Sequence, residues 1–288
     1  MIHGLLLAAI AAAQSVDTSL VVSAGWLAKH AHDPAVVVLQ VDVGDSAYRA
    51  GHIPGARFLR YGSYITDARG LSTELPPADS LRSLFESVGV STATHVVLAG
   101  APLTASRAFF TLEYLGLAHV SVLDGGVAAW KAAGNPVDRT VPAVVRGRIS
   151  AAPHPGVVAR ADWITAHLGK PGMSLLDTRR EDEYLGTAAG VKGHIEGAHR
   201  LEWQEMFRDP NEFSLQDVAT LRRLFAARVV PGDTVVAYCR VGHRSSATYF
   251  VSRLLGLPVK LFDGSYEEWS RLNLPLVQAP TPLRTIDN

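Results

Sequence analysis

The chain of 288 residues contains a single cysteine, Cys239, and polar residues crowd in just after it: Arg240, His243, Arg244, Ser245 and Ser246, within VVAYCRVGHRSSATYFVSRLLG (235–256). A lone thiol cannot close an internal disulfide, so dithiol redox chemistry is excluded, and so is a multi-cysteine metal cluster. The 11 histidines fall in no metal-ligand spacing, so no metal and no cofactor is expected. Nucleophilic chemistry by the thiol itself remains. A buried structural cysteine would have apolar neighbours, whereas these are cationic and hydroxylic, and such surroundings favour thiolate over thiol.

The flanking patterns position that thiol. Residues 234–238 read as a buried strand, and from Ser245 the apolar residues Ala247, Phe250, Val251, Leu254 and Leu255 follow helical spacing up to Gly256, a C-terminal stop. Cys239 therefore opens a loop between the carboxyl end of a strand and the amino end of a helix, the place where open parallel sheets bind ligands. The N–H groups of such a loop form an anion nest, with partial positive charge from the helix terminus. Arg240, Arg244 and His243 are expected to add to it.

The chain is internally duplicated. Residues 95–137 align with 234–276, with one residue fewer in the first copy's loop, and 41–56 align with 176–198. The anchors keep their order: Asp42 with Asp177, Tyr48 with Tyr184, His52 with His194, Asp124-Gly125 with Asp263-Gly264, and Trp130 with Trp269. The alignment places Ala99 or Gly100 where a first-copy nucleophile would stand. Continuous apolar strands (36–41, 96–97, 174–176, 234–237) alternate with amphipathic helices, which implies an α/β fold. Each copy is expected to be a small parallel sheet with helices on both faces. The expected organisation is 15–137, a Pro- and Arg-containing linker at 138–156, 157–280, and a tail at 281–288.

Lys plus Arg and Asp plus Glu are equal at 27 each, which removes the electrostatic case for a nucleic-acid partner. The apolar run within residues 1–14 resembles a secretory signal and is too short to span a bilayer. A cleaved signal and a periplasmic or secreted location are therefore expected, without a stable membrane anchor; without cleavage the location would be cytoplasmic. The chain is expected to act as a monomer.

Taken together, CRVGHRS (239–245), LLDTRREDEY with GHIEGA, GHIPGA and LDGGVAAW resemble the tandem-domain rhodanese (thiosulfate sulfurtransferase) family across almost the whole chain. The resemblance implies that Cys239 takes the outer sulfur of a small anionic donor and becomes a persulfide. It then passes that sulfur to a thiophilic acceptor such as cyanide or a thiol. Arg240 and Arg244 would orient the donor, and the backbone from Arg240 through Val241, Gly242, His243 and Arg244 to Ser245 would hold the sulfur. Ser245 is expected to cap the following helix in preference to bonding the persulfide. Asp177 and Arg179 match a family motif that braces the loop, and His194 reads as a core or turn residue.

The arginine after the cysteine resembles thiosulfate-using members, whereas mercaptopyruvate-using members have glycine there. The rest of the loop is closer to single-domain members, and Glu183 stands where tandem enzymes often carry a donor-binding arginine. The alternatives are 3-mercaptopyruvate as donor, or a non-catalytic sulfur-carrier or sensory module. A cysteine phosphatase would need its arginine six positions after the cysteine; position 245 is serine.

Overall fold

The computed structural model describes residues 15–68 and 70–283; the expected signal segment, 1–14, lies outside them, as does 284–288. The first half runs β1 (Val21–Val22), α1 (Ala24–His30), β2 (Val36–Asp42), α2 (Ser46–Ala50), β3 (Arg57–Arg60), β4 (Thr66–Ala68), β5 (Leu71–Glu74), α3 (Ala78–Ser87), β6 (His95–Gly100), α4 (Pro102–Tyr114), β7 (Val120–Leu123) and α5 (Gly126–Ala132). The second runs β8 (Val158–Ala159), α6 (Ala161–His167), β9 (Met173–Asp177), α7 (Glu181–Tyr184), β10 (His199–Arg200), β11 (Phe207–Asp209), β12 (Ser214–Leu215), α8 (Val218–Ala226), β13 (Thr234–Tyr238), α9 (Ser245–Leu254), β14 (Val259–Phe262) and α10 (Ser265–Arg271).

Each half holds one five-stranded parallel sheet, ordered β1-β7-β6-β2-β3 and β8-β14-β13-β9-β10, together with a short antiparallel hairpin. The two orders are the same once the repeat is applied. The central strands are buried on both faces, as in β2 and β13, which is why they read as unbroken apolar runs. β13 sits in the middle of its sheet, paired with β9 from Thr234↔Met173 to Tyr238↔Asp177. The carboxyl end of a central, buried strand therefore carries Cys239.

The halves share one core. The largest apolar cluster contains Phe109 and Phe110 of α4, Phe250 of α9 and Phe213 of the second hairpin, while smaller clusters around Trp130 and Trp269 back the outer face of each sheet. Phe250 meets Phe109 and Phe213 edge-on at ring separations of 4.9 and 5.2 Å. Such packing of α4 on α9 leaves little freedom for one half to move against the other. Polar groups extend the seam: Glu113 accepts from Tyr249 Oη at 2.7 Å and from Arg253 Nη2 at 2.8 Å.

The stretch after α5 is not a free tether. Gly147 N donates to Glu86 O, Ile149 is buried, and His154 N donates to Tyr114 O, so residues 147–154 lie along α3 and α4 of the first half. Gly147 is required where it passes, since a Cβ there would stand 2.0 Å from Val90 O.

Candidate active site

Between Tyr238 and Ser245 the chain must leave a buried strand, turn and enter a buried helix in six residues, and its hydrogen bonding shows how. Every carbonyl of the turn has a donor. Cys239 O accepts from Tyr266 N, Arg240 O from Glu267 N, His243 O from Ser246 N and Arg244 O from Ala247 N. Val241 O accepts the Thr73 hydroxyl of the first half, and Gly242 O accepts the hydroxyls of Ser245 (3.2 Å) and Ser246 (3.0 Å). The N–H groups have the opposite fate. Cys239 N is spent on Ser265 Oγ at 3.1 Å, but those of residues 240–245 reach no acceptor among the described residues. Six successive donors left over from a loop with all its acceptors satisfied constitute an anion nest.

Gly242 makes the turn possible. Its φ of +81° is in the left-handed region, and a Cβ would stand 2.6 Å from Asp263 O and 2.7 Å from Asp263 Oδ1. Asp263 is fixed by Arg107, a fully buried arginine of α4 that donates to Asp263 Oδ1 and, at 2.7 Å, to Thr73 O. Burial works against the charge of Arg107, and Asp263 more than compensates, so its pKa is raised. The first half thus reaches across to hold the glycine's neighbour.

Cys239 is fully buried, and Ser245 Oγ donates toward its Sγ at 3.6 Å. The expectation that Ser245 caps the helix is corrected: the N-cap position belongs to Arg244, Ser245 is the first helical residue, and its hydroxyl turns back to the sulfur and Gly242 O. Two further corrections concern charge. His243 was expected to add positive charge, but its ring stacks on Tyr61 of the first half at 4.5 Å, and burial, with Arg107 and Arg244, lowers its pKa to about 4. It is neutral at pH 7. Arg244 does not project freely toward a donor either, because Glu183 takes both of its terminal nitrogens at 2.6 and 2.8 Å. Burial opposes the Arg244 charge, but Glu183 and then Cys239 outweigh it and raise its pKa. Arg240 is exposed at the rim, with no partner among the described residues.

Asp177 and Arg179 lie beneath the loop, both fully buried and joined through Arg179 Nε and Nη2. Tyr238 Oη donates to Asp177 at 2.7 Å, and the Arg179 guanidinium lies 4.5 Å from the centre of the Tyr266 ring. The residue before Cys239 and the residue that binds its carbonyl are thereby tied to one ion pair. His194 is buried, bonded through Nδ1 to Tyr184 O at 2.8 Å and stacked on that tyrosine; His52 repeats this arrangement on Tyr48 in the first half. Both are turn residues of the fold.

Sequence reasoning did not reach Thr73, Tyr61, Arg107, Asp263 or Ser265 as parts of the site. Arg107 did leave a signal, a lone arginine inside the apolar run of α4, since a charge placed there must be paired. The Asp-Gly anchor of each repeat was visible, but only as architecture.

The first copy lacks the loop altogether. β6 runs to Gly100 and α4 begins at Pro102, so Ala101 alone separates them, where the alignment implied a loop only one residue shorter than the second. Pro102 has no N–H to offer. A Cβ on Gly100 would stand 2.5 Å from Val41 O.

A family model for the Rhodanese-like domain matches residues 23–133 and again 160–272. The chain is 33% identical over 267 residues to the thiosulfate sulfurtransferase of Pseudomonas aeruginosa, covering 88% of this chain and 94% of that one. To the sulfur carrier protein TtuD of Thermus thermophilus it is 32% identical over 273 residues, with 88% and 94% covered. The crystal structure of SseA from Escherichia coli, a 3-mercaptopyruvate sulfotransferase, superposes with a TM-score of 0.75 at 25% identity, covering 86% of this chain and 99% of that one. The chain belongs to the rhodanese-like family, with one family domain in each half.

Proposed function

We propose that this protein is a sulfurtransferase that moves a sulfane sulfur from thiosulfate to a thiophilic acceptor through a persulfide on Cys239. One observation carries the reading: in the loop after Cys239 the carbonyls of residues 240–244 are all hydrogen-bonded, while the six N–H groups of residues 240–245 have no acceptor among the described residues. In the first half-reaction the Cys239 thiolate attacks the outer sulfur of thiosulfate. A new S–S bond forms to the cysteine, and the electron pair of the old one departs with sulfite. In the second, cyanide or a thiolate takes the outer sulfur and the cysteine thiolate is restored. The negative charge stays near the same place throughout, which suits a fixed set of donors that need no reorganisation.

The relatives named for thiosulfate support that donor, and Arg240 offers an uncommitted cation to a dianion. Glu183, which neutralises Arg244, narrows the positive charge to the rim and the nest. Steady-state thiocyanate formation from thiosulfate and, separately, from 3-mercaptopyruvate tests the proposal. Faster turnover with thiosulfate, abolished in Cys239→Ala, is expected; preference for 3-mercaptopyruvate would reassign the donor, and no turnover with either would favour a carrier role.

The site is completed by two halves of one chain, which supports action as a monomer, and sedimentation velocity checks this. The apolar run within residues 1–14 supports export, and the N-terminal sequence of protein recovered from its native cells would show whether the run is removed.

A further inference from the structure

Two polar atoms at the cysteine loop are buried without a hydrogen-bond partner, the Tyr61 hydroxyl on the first half's wall and Nε2 of His243 in the loop itself. Tyr61 comes from the first half, is 9% exposed, and lies against the His243 ring at 4.5 Å and edge-on to Tyr64 at 5.5 Å. Its neighbour Tyr64 shows the usual arrangement: fully buried, it donates to Thr104 O at 2.9 Å. A buried hydroxyl left unpaired costs stability, and a ligand that brings acceptor atoms would satisfy it. The surroundings of the phenol indicate the ligand. The phenol ring stacks on His243, four residues after Cys239 in the loop whose N–H groups have no acceptor among the described residues, and burial pushes Tyr61 up to about 12. Both orphaned groups are neutral at pH 7, and both can donate, His243 as its Nε2–H tautomer.

We propose that the Tyr61 hydroxyl and His243 Nε2 grip the oxygen atoms of the sulfur donor, and so bind the sulfite that leaves when the persulfide forms. The proposal rests on the sulfurtransferase reading and adds to it a substrate-binding role for the half that lacks a nucleophile. Arg244 is already committed to Glu183 at two short hydrogen bonds, so two neutral donors, one from the loop and one from across the seam, supply what a second arginine would. Thiosulfate brings three oxygens, on which charge accumulates as the S–S bond breaks. Cyanide brings none. The two groups therefore serve the loading half-reaction and are idle in the unloading one.

A transfer through a covalent intermediate allows the two half-reactions to be read separately. Tyr61→Phe keeps the stacked ring and removes only the oxygen. We expect kcat/KM for thiosulfate to fall by about tenfold or more, kcat/KM for cyanide to hold, and Tm to hold or rise. His243→Phe should give the same one-sided loss. Unchanged kcat/KM for thiosulfate with a raised Tm would overturn the proposal, as would equal losses in both half-reactions. Calorimetric binding of sulfite to the unloaded protein gives a readout independent of turnover. Binding by the wild type that weakens in Tyr61→Phe supports the assignment; no binding, or equal binding, overturns it. Failure of the wild type to use thiosulfate while sulfite binds through Tyr61 would fault the function and leave the subsite standing.

Discussion

The two strand-to-helix turns at equivalent places in the two sheets are built from the same repeat and differ in almost everything that chemistry requires. After β6 the chain passes through Ala101 alone into a helix that starts with proline; after β13 it makes a six-residue turn whose acceptors are all engaged and whose donors after Cys239 find no acceptor among the described residues. A parallel sheet therefore supplies only the location, the carboxyl end of a central strand. Whether a site exists there depends on the length of the turn and on what ties down its carbonyls. Arg107, on a buried face of α4, reaches Asp263 of the other half, so the half without a thiol forms a wall of the half that has one.

The largest expected effect comes from cutting that cross-half support. Arg107→Met leaves Asp263 buried without its counter-charge, and loss of one partner of such a pair costs about 3–5 kcal/mol. Chemical denaturation should show this drop together with loss of thiocyanate formation. A stable and fully active variant would mean that the halves are independent.

The next expected effect is one of pH. The pKa of His243 falls from the ordinary 6.5 to about 4 on folding, so between these values the unfolded chain binds a proton that the native protein refuses. The associated stability is present above pH 6.5 and is lost as pH falls toward 4. Its ceiling is about 3 kcal/mol by proton linkage. In His243→Phe the decline of ΔG of unfolding over that window should be shallower; an unchanged slope would place the imidazole in water.

Exchanging features between the turns comes third. Gly242→Ala forces a side chain into left-handed backbone and against Asp263, at a cost of about 1–3 kcal/mol, with sulfur loading lost. Gly100→Cys gives the first turn a thiol that must displace Val41, also at about 1–3 kcal/mol. Mass analysis should show no second sulfur taken up there. Uptake at residue 100 would show that a thiol at the strand end suffices, and would end the distinction drawn between the turns. The smallest effect is expected from Glu183→Gln, which releases Arg244 from its ion pair and should raise kcat/KM for thiosulfate several-fold. A fall would show that the pair positions Arg244 for the donor.

Much of this was legible in the sequence because repetition and periodicity are local signals. Asp42 with Asp177 and Trp130 with Trp269 marked the duplication. The apolar runs at 36–41 and 234–237 gave the strands, and Gly256, with φ +74°, ended α9 where its position implied. Cys239 stood out by its neighbours. What the sequence did not disclose is long-range. Thr73 meets Val241 and Tyr61 meets His243 only because two hairpins and two helices pack across a seam, and no periodicity encodes that pairing. Charge was misread for the same reason: Arg244 and His243 look like cations in a loop, but Glu183 and burial decide what they contribute. Ser245 looked like a cap because its position suits one, yet the backbone turned one residue earlier.

The central claim, that the second turn holds a transferable sulfur and the first does not, is tested most directly by intact-mass measurement after exposure to thiosulfate. One sulfur atom should appear on the wild-type chain, disappear on addition of cyanide, and be absent from Cys239→Ala. A wild-type chain that gains no sulfur, or a Cys239→Ala chain that gains one, would contradict the account.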